Sequence, residues 1–385
     1  MAQHGIEEHS HGLVPLQTRS ERPRSTTIGD FAEISNRQEI WRYLPLDQLN
    51  GLADEVMAEV VDQEISSQLA QGVTATWVNT TEDFVGTAGL PEDRISAIAW
   101  TNASKTLLID VPANAEISDP SFLTAKLANS EAKALHVFVR VGANAKATIV
   151  LDHVGLGVLA ENVEILLDQG AKLDFVTIQD WAKGSSHVST QFARLGRDSF
   201  LKHVVVSLGG DLVRITPSVA LDSPGAEIQM FGVYLADSGN YFEHRPYVDH
   251  IAANCISNVA YKGALQGAGA HTVWVGDVLI RQTAIGTNSY ELNRNLLLTD
   301  GARADSVPNL EIETGKIEGA GHASASGRFD DEQLFYLMAR GIGDSEAKKL
   351  VVRGFLNEVV QKIGIAEVEQ RLIETIEQEL EKVGA

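Results

Sequence analysis

Cysteine is almost missing from this chain. Among 385 residues there is one, Cys255. No intrachain disulfide can form, and metal motifs built from several cysteines of one chain are excluded. Such usage fits a reducing, cytoplasmic compartment. Positive charge is scarce too. Thirty-one Lys and Arg stand against 52 Asp and Glu, a formal net charge of −21, so the basic footprint that nonspecific nucleic-acid binding requires is absent. No run approaches the ~20 apolar residues of a membrane span. The N-terminal stretch lacks an apolar h-region, so no signal peptide is expected. There is no GxxxxGK(S/T) phosphate loop, so the chain is not expected to be an ATPase. Neither a GxSxG elbow nor an HExxH helix is present, and the acidic residues are scattered without a spacing that demands a catalytic pair.

What remains is an acidic chain with 44% hydrophobic residues, ample for a core. Its texture changes along its length. Residues 1–27 are polar, with His4, His9 and His11 as stray metal binders at most, and read as a disordered tail. Residues 28–103 read as an N-terminal helical region. Ile40, Tyr43 and Leu44 fall at helical spacing before Pro45, and a second amphipathic run covers Leu49 to Val61.

From 104 to 327 short apolar runs recur, among them "TLLIDV", "KLDFVTIQDW", "AEIQMFGVYL" and "HTVWVGDVLI". Gly142, Gly170, Gly196 and Gly225 punctuate them at intervals of 26 to 29 residues, a spacing that predicts a structural repeat. Almost no room is left for crossover helices, which disfavours a βαβ sheet. The turns "VGANAKATI", "DQGAKLDFV" and "SPGAEIQMF" read as stacked corners. The expected fold is mainly β, a right-handed parallel β-helix of roughly eight rungs, between helical N-terminal and C-terminal regions.

Residues 328–385 turn helical again. Asp330 or Asp331 can cap a first helix that Gly341 ends, and Asp344 can cap a second that ends at Gly364. A third carries Ile365, Val368, Leu372, Ile376, Leu380 and Val383 on one face. These helices read either as a cap that blocks edge pairing or as a docking platform for a partner protein.

The segment "EIETGKIEGAGHASASG" sets one histidine, His322, among Gly, Ala and Ser. On side-chain chemistry alone it is a turn histidine bonded to a nearby carbonyl or an exposed ligand at an interface. Cys255 is a small core residue or an acceptor of sulfur or iron. His250 and His271 form a polar ladder on one face or bind metal.

An ordered set of segments carries a family resemblance over about residues 37 to 360. "NRQEIWRYLPL" supplies Arg37, Glu39, Trp41, Arg42 and Tyr43. "YKGAL", from Tyr261 to Leu265, follows His250 and Ser257. "NRNLLLTDGARADSVPNLEIE", "DEQLFYLMARGI" and "AKKLVVRGF" complete the set. Together they resemble the SufB/SufD family of iron–sulfur cluster assembly scaffolds, and the short length and single cysteine resemble its SufD-type members. In many members an Asp pair and a Cys precede the histidine. Here both are absent, one extra residue is present, and His322 remains.

The resemblance implies a scaffold without catalysis of its own. Its partners would be a SufB-type paralogue, paired through the β-helix edge, and a SufC-type ABC ATPase at the C-terminal helices. It implies His322 as a metal ligand for a transient iron or iron–sulfur cluster at the subunit interface, and a reduced flavin has been proposed on such complexes. A homodimer is expected for the isolated chain. The competing expectations are a β-helix carbohydrate-active enzyme and a homo-oligomeric structural protein with no metal role.

Overall fold

The structure is a computed structural model, and it describes residues 22–328 and 331–381. His4, His9, His11, Asp330, Val383 and the side chain of Leu380 lie outside this part.

The chain winds into a parallel β-solenoid of about eight turns. Each turn gives one strand to each of two faces. The first face runs through the opening half of β5 (Ser121–Val141) and of β6 (Lys146–Leu167). It continues through β7 (Lys172–Trp181), β9 (Phe200–Ser207), β11 (Glu227–Ala236), β14 (Ile256–Leu265), β16 (Asn288–Leu297) and β18 (Gly319–Arg328). The second face begins at β4 (Lys105–Val111) and takes the closing halves of β5 and β6. It continues through β8 (Ser186–Leu195), β10 (Leu212–Leu221), the pair β12 (Tyr241–His244) and β13 (Tyr247–His250), β15 (His271–Ile280) and β17 (Arg303–Ile312). Neighbouring strands are parallel throughout these stacks, and turns of the coil climb about 4.8 Å each.

One corner of the coil shows why the repeat is punctuated as it is. Asn114, Asn144, Gly170, Asp198, Gly225, Asn254 and Gly286 all adopt positive φ, between 53° and 76°. Each donates its backbone N–H to a carbonyl one turn on, as Asn144 does to Gln169 at 2.9 Å and Gly170 to Arg197 at 2.8 Å. Only Gly, Asn and Asp visit this region readily. From Asn144 onward the types alternate for a steric reason. A Cβ on Gly170 would sit 2.6 Å from Asn144 Oδ1, and one on Gly225 2.2 Å from Asp198 Oδ1. An amide or carboxyl at one corner therefore requires a glycine at the next.

Three apolar clusters hold the molecule. The interior is filled from both faces by residues such as Ile149, Phe175, Leu201, Ile228, Phe242 and Trp274. The outer side of the first face is covered by α3 (Asp344–Ile363) and α4 (Ala366–Glu381), whose Val352, Leu356, Val359, Val368, Leu372 and Ile376 pack on Val176, Val204, Phe231 and Val233. Arg371 fixes α4 through Asp152 and Asp180 at 2.5 and 2.6 Å, and Lys262 fixes α3 through Glu358 at 2.5 Å and the Phe355 carbonyl at 3.1 Å. These helices thus cover a face of the solenoid and not its end, so the end-cap expectation is corrected. Asp344 is the first residue of α3 and Gly343 stands at the cap position.

The outer side of the second face is covered by the N-terminal region, where the structure departs from expectation. The amphipathic runs at Ile40–Leu44 and Leu49–Val61 form no α-helix. They become three-residue 3-10 turns at Glu39–Trp41 and Leu46–Gln48, followed by the short β1 (Ala58–Glu59). Pro45 interrupts the first run. Trp41, Leu44, Leu49 and Leu52 are still buried, but one by one against Ala160, Val188, Leu212 and Val273. Arg214 reaches out from β10 to stack on the Trp41 ring at 4.3 Å and donate to the Ile40 carbonyl at 2.8 Å. The only α-helix of the described N-terminal region is α1 (Arg94–Asn102), capped by the Asp93 carboxylate on the Ser96 N–H.

Candidate functional site

The two ends of the solenoid are finished differently. At the N-terminal end, β3 (Thr74–Asn79) pairs antiparallel with β4, and β2 (Ile65–Gln68) antiparallel with β5. At the other end, β17 pairs only with β15 and β18 only with β16. Among the described residues nothing pairs with their outer edges. The last seven residues of β18, His322 to Arg328, are all exposed. A ten-residue strand with an open edge and no Lys, Arg, Asp or Glu before its last residue, Arg328, is a template for another chain unless it is blocked.

His322 sits on this edge. It is exposed, and it forms no hydrogen bond or ion pair with another described residue. The carbonyl-bonded turn histidine is therefore not what the structure contains. Register sets His322 beside Glu291 of β16. Strand alternation assigns both to the inward column that also holds Val259, Met230 and Phe175 on earlier turns. Glu291 is 4% exposed and its Oε2 has no hydrogen-bond partner. Burial, with the nearby charge of Asp277 adding to it, pushes the Glu291 carboxyl up to about 8. Trp274 Nε1 and Ser306 Oγ on the opposite wall are also without partners.

The small residues around His322 have two causes. The Tyr290 side chain lies over β18, and a Cβ on Gly319 would come within 2.8 Å of its hydroxyl and one on Gly321 within 3.3 Å of its ring. Those two glycines serve packing inside the chain. Nothing lies within 4 Å of the Cβ position at Gly327, and Ala323, Ser324, Ala325 and Ser326 remain small and open. One polar chain leads inward from here: Asn295 donates to Ser326 Oγ at 3.2 Å and to Asn293 at 2.8 Å, and Tyr234 donates to Asn295 at 2.5 Å.

The other candidates resolve against chemistry. Cys255 is buried in the interior cluster, its thiol faces the Ser223 carbonyl at 3.4 Å, and burial pushes the thiol pKa up, the opposite of a reactive cysteine. His250 and His271 do not form a ladder. His250 is bonded to Ser257 at 2.8 Å and His271 to Asp305 at 2.7 Å, on different strands and facing different partners.

A trio that the sequence did not reveal lies deep inside. Nitrogen or oxygen atoms of His153, Glu161 and His187 come within 4.8 Å of one another, and all three residues are fully buried. Their numbers are far apart because β6 bends between His153 and Glu161 and His187 comes one turn later. His153 Nδ1 donates to the Ile178 carbonyl at 2.9 Å, and its Nε2 meets Glu161 at 2.9 Å. Burial opposes charge on this imidazole, but the Glu161 carboxylate outweighs it and raises the pKa. Glu161 itself is pushed up by burial and pulled further down by both histidines, to a net lowering. Trp181 Nε1 donates to His187 Nδ1 at 3.2 Å, which leaves the His187 proton on Nε2 and not a free lone pair. The trio is a buried ion pair with a neutral neighbour, tied to Ser189 at 2.7 Å. It locks turns of the coil together.

Fold and edge together define a β-solenoid protein with one sealed end and one unpaired end carrying a lone imidazole. The chain belongs to the SufBD family of iron–sulfur cluster assembly proteins: the family described as SUF system FeS cluster assembly, SufBD core domain, matches residues 122–355. It is 47% identical over 364 residues to the iron-sulfur cluster assembly SufBD family protein Rv1462 of Mycobacterium tuberculosis, covering 93% of this chain and 92% of that one. It is 44% identical over 365 residues to the SufBD family protein ML0594 of Mycobacterium leprae, covering 92% and 93%. A second family protein of the same organism, ML0593, is 27% identical over 201 residues, covering 52% of this chain and 23% of that one.

Proposed function

We propose that this chain is the SufD-type subunit of an iron–sulfur cluster assembly complex. Its open edge of β17 and β18 pairs with the matching edge of a SufB-type paralogue, and His322 reaches the nascent cluster or its iron across that junction. The observation that carries this reading is the uncovered β18 edge with an unpartnered imidazole on it. Neutral imidazole is a competent though occasional ligand to iron in such clusters, and one histidine needs further ligands from a partner. The single cysteine favours the SufD role, since thiolates must then come from the other chain. The occurrence of two SufBD family proteins in one organism supports pairing between paralogues.

The C-terminal helices suit a SufC-type ABC ATPase. Phe335, Tyr336 and Met338 of α2 (Asp331–Ala339) and Leu350 of α3 are 73%, 57%, 46% and 39% exposed. A cluster of exposed large apolar side chains marks a contact surface. ATP hydrolysis belongs to that partner, and this chain acts as a scaffold without catalysis of its own, in the cytoplasm. No helix among the described residues is long and apolar enough to cross a membrane. A reduced flavin enters this reading only as a ligand of the assembled complex.

Co-expression with both presumed partners, followed by anaerobic cluster reconstitution with wild type and His322→Ala, tests the reading. A three-subunit complex whose cluster yield falls with His322→Ala is expected. Unchanged yield removes His322 from the cluster, and a lone homodimer that ignores both partners removes the scaffold role.

A further inference from the structure

His322 is exposed, yet its register neighbour is a carboxyl that the fold has buried without satisfying. We propose that Glu291 and His322 together bind a single borderline divalent cation, ferrous iron in the cell, at the open end of the solenoid. This rests on the reading of His322 as an edge ligand and deepens it, because it assigns the second protein ligand and makes the cargo a mononuclear ion. The two residues occupy the same inward column on adjacent strands, one strand spacing of about 4.8 Å apart. A flexible Glu and an unpaired His can close that spacing around one ion.

Three observations favour a ligand here. Glu291 Oε2 has no hydrogen-bond partner although the residue is 4% exposed. A buried carboxyl without partners is costly, and a bound cation removes that cost. The opposite wall leaves room, since Gly276 carries no Cβ where one would lie 2.9 Å from that oxygen. The surrounding rim is small, with Ala320, Ser324 and Ser326 on the same strand. An imidazole and a carboxylate suit ferrous or another borderline divalent ion better than a thiolate-bound cluster core. Two protein donors leave the remaining positions to water or to a partner's side chains.

Cobalt(II) is the probe, added anaerobically to the untagged full-length chain carrying His4→Gln, His9→Gln and His11→Gln, so that the N-terminal histidines do not compete. The visible ligand-field absorbance reports binding. The expected result is one ion per chain, with affinity weakened roughly tenfold or more by His322→Ala and likewise by Glu291→Gln. Glu291→Asp, which withdraws the oxygen by one methylene, weakens binding too and serves where Glu291→Gln is recovered poorly. Unchanged affinity in both Glu291 variants overturns the proposal. So does binding that survives the double variant, or no binding at all. Cluster yield of His322→Ala in the three-subunit complex is read separately. A cobalt failure with a cluster loss therefore sinks the cation site alone, and an unchanged cluster yield sinks the underlying reading.

Discussion

The two ends of the solenoid started with the same problem. Any parallel coil exposes backbone donors and acceptors at its first and last strands. The N-terminal end solves it within the chain: β2 and β3 reverse direction and seal β5 and β4. The C-terminal end does not, although three helices with 45 residues between them follow it in the described chain. Those helices lie on a face, with Leu356, Val360 and Leu372 against Val206 and Leu235. Under the proposed function, that uncovered edge is where the paralogue pairs. The side chains agree. The sealed end uses large buried side chains such as Phe138 on β5, whereas the last strand uses Gly, Ala and Ser.

The contrast breaks first at the edge itself. Ala323→Lys with Ala325→Lys places two charges on β18 on the side opposite His322, where both positions are exposed. Recovery of the SufB-type partner in a pull-down should drop tenfold or more, with the melting temperature within about 2 °C of wild type. Equal recovery would mean that pairing does not use this strand.

Acid should act on the stability through the buried histidines. Burial lowers His203 to about 4 and His244 and His250 to about 3, from an ordinary value of 6.5. The unfolded chain therefore binds protons more readily, so stability is full above pH 6.5 and is lost as pH falls toward 4. Urea midpoints measured from pH 7.5 down to 4.5 should decline steadily below 6.5.

Removing an anchor of the N-terminal cover on the second face comes next. Trp41 is 2% exposed and carries the Arg214 guanidinium on its face. Trp41→Ala should cost about 3–5 kcal/mol in urea unfolding, against no more than about 0.5 kcal/mol for His322→Ala. Between these two falls a corner substitution. Gly170→Ala forces a Cβ onto a left-handed residue and against Asn144, and should cost about 1–2 kcal/mol. Its partner recovery should stay normal, since the corner lies away from the open edge.

Much of this architecture was legible. Strands such as "KLDFVTIQDW" and "HTVWVGDVLI" begin and end where the apolar runs do. The corner repeat was read from glycine alone, and four of its seven named positions are Asn or Asp, residues that share the left-handed preference. β8 and β10 escaped the apolar pattern. Their His187, Gln191 and Arg214 are buried because both faces of the strand are covered and neighbouring side chains supply hydrogen bonds. Helical spacing misled at Leu49–Val61, where a sheet outside the local segment offers each leucine its own site. At the site, His322 was visible as a polar residue among small ones. Glu291 was not, because its relation to His322 is a register across 31 residues that only the coil creates.

Hydrogen–deuterium exchange on the full-length chain, alone and in complex with its SufB-type partner, tests the central claim most directly. The account predicts that backbone amides of Arg303–Ile312 and Gly319–Arg328 exchange quickly in the isolated chain and become protected in the complex, while those of β2 and β3 are slow in both. Unchanged exchange at β17 and β18 on complex formation would contradict it.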